Sequence, residues 1–451
     1  MSASDNSSAV NENGGIINFS TSLSNAANLE ESIIDPPLYY GDYCKSFEVF
    51  PMQMYANNDS NITNNGNIIS SAQFSTAMFA KNSSHAVNNS SGTIEVINKN
   101  PSKNLSYEDE FMNFMHTFMY AEHNSTLVNN GNLILTLKNQ GLNKNYSNLT
   151  YFMFATDDSN LTNNEPINIL GHGADMLDGQ TLRVLSAKSF SKLANNQSIT
   201  ANGMNYTNEL TLLYEDQNSS IKNLKLGTLK IANSTSSRMY AIFSSEDNNF
   251  KNTCNIHFEA NTVTTTPEVT GIMTAISLIN DIKAENRGEI TMIDNTFNIN
   301  NGYLVVEALS LVGSNLINYG DITMKTFHIN NQGYPISPTI VDLSDASTFK
   351  NFATLSIDAN NAIGIKIGAD SNITNTGTVK ITSSSKNSCG IIIKNPDLNK
   401  TSLSKYIINI GTIIINGRSY ASPTSAWNVS FDSSVEPKTG SVPICNGGDI
   451  F

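Results

Sequence analysis

The sequence predicts an all-β solenoid of about 12–14 coils, and three observations predict it: a recurring motif, a constant step between its copies, and a second block at a fixed offset before it. The motif is Asn, any residue, Gly, any residue, apolar, any residue, apolar. Six copies are nearly complete: Asn64-Asn-Gly66-Asn-Ile68, Asn129-Asn-Gly131-Asn-Leu133-Ile-Leu135, Asn286-Arg-Gly288-Glu-Ile290-Thr-Met292, Asn318-Tyr-Gly320-Asp-Ile322-Thr-Met324, Asn375-Thr-Gly377-Thr-Val379-Lys-Ile381 and Asn409-Ile-Gly411-Thr-Ile413-Ile-Ile415. Worn copies fill the gaps, with Cys254, Ala353, Glu165 or Gln197 in the glycine slot; Gly92 and Gly227 keep the glycine but shift the Asn. Toward the start, Asn13-Gly-Gly15-Ile-Ile17-Asn-Phe19 fits, and Lys45 before Phe47-Glu-Val49 fits weakly. From Gly66 to Gly411 the mean step is about 31 residues, within the range that marks stacked repeats.

The second block is a short apolar strand and a polar turn. Met54-Tyr-Ala-Asn-Asn-Asp-Ser-Asn-Ile-Thr-Asn64 aligns with Met119-Tyr-Ala-Glu-His-Asn-Ser-Thr-Leu-Val-Asn129 and with Phe152 to Asn163 and Ile363 to Asn375. Alternation at period two, with turn residues at constant offsets, specifies strands. A hairpin array would flank each Asn-Gly with matched strands, whereas here Asp/Ser/Asn turns precede the Asn. One coil of such short strands cannot bury its inward row alone. Stacked in register, the coils bury a continuous narrow core, and the constant Asn can stack as an amide ladder. The glycine slot reads as a corner that needs positive φ.

Residues 13–417 carry the repeat, 1–12 read as a disordered stretch or cap, and 418–451 as a C-terminal cap or truncated end. The longest step, from Gly92 to Gly131, leaves room for an insertion over 101–121. There Phe111, Phe114, Met115, Phe118 and Met119 have helical spacing, and a strand leading into Met119-Tyr-Ala is the competing reading.

The chain has 451 residues and a net charge of −13, with 14% of residues charged. That balance disfavours nucleic acid and anionic membrane partners. No run of eighteen apolar residues spans a bilayer, and the first residues lack a signal peptide's basic and apolar regions. Cys44, Cys254, Cys389 and Cys445 lie far apart, with three pairings open.

No P-loop, dinucleotide fingerprint, HExxH or GxSxG is present, so the sequence gives no catalytic, cofactor or metal residues. Cys254 and His257 are too few for a structural zinc, and on a strand that offset points them to opposite faces. Gly171-His-Gly-Ala-Asp175 reads as a polar turn. Asp59, Asp157, Asp158 and Asp370 belong to the recurring Asp/Ser/Asn turn, which marks them as corner residues and not a glycosidic pair. One sharper pattern is acid-x-Asn-x-Ser/Thr, which makes Asn61, Asn124, Asn160, Asn218 and Asn372 candidate glycosylation acceptors, all expected at the same corner of the repeat.

The unit of apolar strand, Asp-Ser-Asn turn and Asn-x-Gly-x-Ile-x-Ile resembles the passenger domains of bacterial autotransporters (type V secretion) over nearly the whole chain. The resemblance implies a right-handed parallel β-helix exported through the outer membrane, displayed at the cell surface or released. It also implies a translocator barrel, whose amphipathic ten-residue strands are not in this sequence. The expected function is a non-enzymatic adhesin that attaches to host or sister cells through a glycan or protein receptor, or by self-association, with no cofactor. A carbohydrate-active β-helix of tailspike or lyase type is the alternative, and a toxin-type passenger a second one.

Overall fold

In the computed structural model the described residues are 1–19, 52–71, 75–99, 114–138, 148–171, 180–204, 209–224, 227–246, 250–262, 271–280, 283–295, 304–326, 338–368, 370–383, 388–393, 407–415, 418–421 and 444–446. They form strands and turns, with no helix among them. The chain is a parallel β-helix, as the repeat predicts. Every third strand joins the same sheet. One face is a 14-stranded sheet running from Ser2–Ser4 to Ile444–Asn446, and the second is a 13-stranded sheet from Ser8–Asn11 to Ile407–Asn409. The third face is a 4-stranded sheet followed by a 10-stranded one. Among the described residues all pairings are parallel except one, where Arg418–Ala421 runs antiparallel to Thr412–Ile415.

The motif sets the register of the third face. Leu229, Ile256, Ile290, Ile322, Leu355, Val379 and Ile413 are successive partners, one per rung, and all are buried. The anticipated stacking of Ile290 on Ile322, and of Val379 on Ile413, is therefore present. This column joins inward residues of the other two sheets in one core that runs the length of the stack. Within it Phe118 and Phe152 stack at 4.3 Å between centroids.

The constant asparagines form a continuous buried ladder. From Asn11 to Asn409 each Nδ2 donates to the Oδ1 of the Asn on the next rung, at 2.7–3.0 Å. In most rungs Nδ2 also donates to the carbonyl of the slot residue two positions on, as Asn318 does to Gly320 at 2.8 Å. The ladder thus ties rung to rung and also closes its own corner.

Glycine fills the slot for a reason other than the expected one. Among the described glycines only Gly14, Gly203 and Gly313 have positive φ, and none is in the slot. A Cβ on Gly288 would lie 1.8 Å from the Cys254 carbonyl oxygen, and one on Gly320 2.0 Å from that of Gly288. Close stacking of backbone on backbone excludes the side chain. Most of the positive φ angles sit at the opposite corner, between the first and second sheets. Pairs such as Asn58-Asp59, His123-Asn124, Asp157-Asp158 and Gln217-Asn218 take left-handed conformations there, which Asn and Asp tolerate through their short polar side chains. A buried Ser follows each pair, and its hydroxyl accepts from the backbone N–H of the Ser one rung before: Ser84 to Ser60 at 3.2 Å, Ser125 to Ser84 at 3.2 Å.

Three expectations need correction or placement. Phe114–Glu122 is a strand of the first sheet, so 114–121 are not helical; the rest of 101–113 lies outside the described residues. The copy at Lys45 also lies outside them, and Ile16–Phe19 pairs directly with Asn67–Ser70, so no rung separates them. Ser2–Ser4 and Ser8–Asn11 already pair with the next coil, so of the two readings of 1–12, a disordered stretch or a cap, the disordered one gives way to the first rung of the stack.

Candidate functional site

The five candidate acceptor asparagines do not share one corner position. Asn61, Asn160 and Asn372 begin strands of the second sheet. Asn124 and Asn218 instead occupy the left-handed pair that precedes the strand. The tripeptide thus recurs in two frames of the repeat, offset by two residues.

The acids singled out in the sequence do not converge. Asp59 and Asp158 hold equivalent turn positions three rungs apart, about 14 Å at ~4.8 Å per rung, beyond the roughly 6.5–9.5 Å of an inverting pair. Asp370 lies at the same corner far along the stack. The Asp216 carboxylate accepts from the Tyr214 hydroxyl at 3.3 Å and from the Gln217 N–H at 2.9 Å. Asp175 lies outside the described residues. Cys254 is buried in its turn, whereas His257 sits on the strand between inward Ile256 and Phe258 and approaches Glu259 at 3.6 Å. Among the described residues no group of His, Cys, Asp and Glu is arranged to hold a metal. Cys254 is a free thiol and Cys389 is disulfide-bonded.

Sequence reasoning missed the carboxyl pair on the outward side of the first sheet. Glu307 is nearly buried, hydrogen-bonded to Asp342, which pairs with Lys366. Burial first, then the Asp342 charge, pushes the Glu307 carboxyl up to about 8. It therefore holds a proton at neutral pH and donates it to Asp342. Two hydrogen-bonded carboxyls are closer than the roughly 5–5.5 Å of a retaining glycosidase pair. Their effect is on stability. Unfolded, Glu307 loses its proton at its ordinary 4.5; folded, it keeps it. Folding therefore takes up a proton in this window, and stability should fall as pH rises from about 4.5 toward 8 and level off above. Thermal melts of the parent and of Glu307→Gln across that range should show the decline only in the parent. Parallel curves would remove Glu307 as its source.

An open trough of about 1020 Å³ lies on the outward face of the second sheet. Its floor is the outward side of strands from Asn160–Asn163 to Thr348–Asn351, and five lysines stand in it: Lys192, Lys222, Lys251, Lys283 and Lys350. Lys222 and Lys251 are direct register partners, followed in the same column by Glu285, Ile317 and Lys350. Glu285 is the one acid among the described lining residues, and Arg287 two positions on engages it. None of the five lysines has an acidic partner among the described residues, whereas Lys81, Arg183 and Lys366 are paired with Glu122, Glu209 and Asp342. The trough's other polar groups are hydroxyls and amides: Ser220, Thr162, Thr348, Asn160 and Asn315.

An exposed column borders the trough where the chain turns toward the third face. It consists of the residues directly after the ladder asparagines, which point outward like the lysines two positions earlier. In the N-terminal half these are asparagines, and Asn89 bonds Asn65 at 2.7 Å and Asn196 bonds Asn164 at 2.6 Å. In the C-terminal half the column becomes Arg287, Tyr319 and Phe352. Tyr319 and Phe352 are 46% and 49% exposed, yet stack at 5.1 Å and 12°. The Arg287 guanidinium lies 5.0 Å from the Tyr319 ring centre. No single residue type persists along the whole of either outward column, which is why a search for repeated motifs passes over both features. Comparison with protein-family models, with curated proteins and with solved structures returned no match.

Proposed function

We propose that the chain is an adhesive rod, the passenger portion of an exported bacterial surface protein, which attaches to host or sister cells without chemistry of its own. One observation carries the reading: a chain of net charge −13 gathers in one linear trough five lysines that have no acidic partner among the described residues. Cationic side chains gathered along one line give a local positive field that draws an anionic ligand to the trough. The groups that line the trough hold ligands through charge and hydrogen bonds. They are spread over many rungs, so each contributes weakly and attachment grows through many simultaneous contacts. The disulfide at Cys389 accords with an oxidising, extracytoplasmic location.

Beads coated with the protein should adhere to animal or bacterial cells. Changing Lys192, Lys222, Lys251 and Lys350 to Gln should lower adherence stepwise, by about tenfold when all four are changed. Soluble monomer should compete poorly. Parent beads that ignore every cell type would overturn the reading. So would turnover of a polysaccharide that disappears when Asp59, Asp158, Asp216 or Asp370 is changed to Asn.

A further inference from the structure

Resting on that reading, we infer that the trough takes a linear polyanionic polysaccharide, uronate or sulfated, lying along the rod axis with sugar rings packed on Tyr319 and Phe352. Three features of the surface converge on this class.

The first is the direction of the charge. From Lys192–Asn195 to Thr348–Asn351 the trough crosses six strands of the second sheet, about 24 Å at ~4.8 Å per rung. Lysines occur at four of these rungs' outward positions and at Lys283 just before a fifth strand. A ligand that meets them all must be long, narrow and repeatedly charged. One pyranose of an extended chain advances by about one rung height, so charges on every sugar or every second sugar can stay in step with the lysines.

The second is the aromatic border. Two stacked rings that remain half exposed are a costly surface for a protein to present to water. Stacked face to face, with Arg287 over the other side of Tyr319, the pair leaves its ring edges and the far face of Phe352 as an apolar platform two residues from the lysine column on the same outward side, roughly 7 Å away. A pyranose offers such a platform its C–H face while its hydroxyls and acid group stay polar. Arg287 beside Tyr319 adds a cation at the same place. Threonines, serine and asparagines in the trough supply neutral donors and acceptors for hydroxyls.

The third is the charge of the whole chain. At net −13 the rod repels every polyanion at long range, so contacts to uncharged parts of the ligand must add to those of the lysines, and a bare phosphate polymer offers none. A uronate or sulfated sugar carries its charge on a neutral polyhydroxyl frame that can engage hydroxyls and rings as well.

The test is direct binding of the whole chain to size-graded oligomers of alginate and of heparin, with dextran and polyphosphate as comparison probes, at several salt concentrations. Alginate or heparin should bind, with affinity rising with length until the oligomer spans the trough, and falling with salt. Changing Lys222 and Lys251 together to Gln should weaken binding by about tenfold and flatten the salt dependence. Changing Tyr319 and Phe352 together to Ser should weaken it by about tenfold with the salt dependence unchanged. All four residues are on the surface, and unchanged circular dichroism and melting would show that the variants fold. The inference is overturned if polyphosphate binds as tightly as the uronate and ignores the Tyr319 and Phe352 changes, which assigns the trough to a phosphate polymer. It is overturned equally if dextran binds as well as alginate, or if the lysine variant binds like the parent. Beads that adhere to cells through the lysines without binding either polysaccharide would overturn this inference and leave the adhesive reading standing. Polysaccharide binding without cell adherence would do the reverse.

Discussion

Replacing Ile322 with Asn should destabilise its segment of the rod by about 4–5 kcal/mol, among the largest effects a single surface-neutral change could have here. Ile322 is fully buried between Ile290 and Leu355. Losing a buried isoleucine side chain costs about 2–4 kcal/mol, and an amide placed in the apolar column without partners adds about 1–3 kcal/mol. Ile322→Val keeps the column apolar and should cost only about 1 kcal/mol. In a stacked array each rung leans chiefly on its neighbours, so the damage should be local. Hydrogen exchange should quicken over strands Ile290–Asp294, Ile322–Thr326 and Thr354–Asp358 before distant rungs respond. Equal melting of parent and Asn variant would mean that Ile322 does not face the core.

The fold was legible because one positional rule repeats along the chain. A residue such as Ile290 or Val379 is ambiguous alone, but the same Asn-x-Gly offset before each copy fixes which side faces inward. The repeat also exposed the Asn ladder, since an amide at a constant inward position can only be satisfied by the rung above and below. The reason for glycine was misread. Sequence shows that the slot wants no side chain, but a positive φ and a carbonyl pressed against the Cα leave the same trace, and only the 1.8 Å clash at Gly288 separates them. Phe114, Phe118 and Met119 imitated a helix for a related reason. Phe118 and Met119 both enter the core although they are adjacent, which breaks the period-two pattern of the strand.

The candidate site was less legible because it consists of residues that do not repeat. Lys222 and Lys251 become neighbours through strand pairing, 29 residues apart in sequence, and Glu285 interrupts their column on the next rung. Tyr319 and Phe352 each look like an ordinary filler after an Asn. Only the constant position after the ladder asparagine, read down the column, would have brought them together. The Glu307–Asp342 contact depends on which side of the first sheet each residue faces, and that sheet's near-continuous apolar runs hide the alternation.

The ladder itself yields the second large expectation: Asn286→Ala should destabilise the rod by about 3–5 kcal/mol although it removes a polar side chain. Asn286 accepts from Asn252 at 2.7 Å and donates to Asn318 at 2.8 Å and to the Gly288 carbonyl at 3.0 Å. Alanine leaves an amide hydrogen of Asn252, the Asn318 oxygen and the Gly288 carbonyl buried with a partner missing, at about 1–3 kcal/mol each where no water enters. The small apolar volume of alanine offsets little of that. Asn286→Asp gives the sharper readout, because its shape is unchanged and only a donor is lost. Ionised, it would set a buried carboxylate oxygen against the Asn318 Oδ1 acceptor; protonated, it regains one donor. Burial without a cation raises the carboxyl's proton affinity in the folded rod above its unfolded value. Folding then takes up a proton, so the Asp variant should be more stable at pH 4 than at pH 7, and the difference from the parent should narrow as pH falls. Thermal melts at the two pH values decide it. An Asp variant that melts with the parent at pH 7, or one that loses stability relative to it on acidification, would show that water reaches the ladder and that its hydrogen bonds do not hold the coils together.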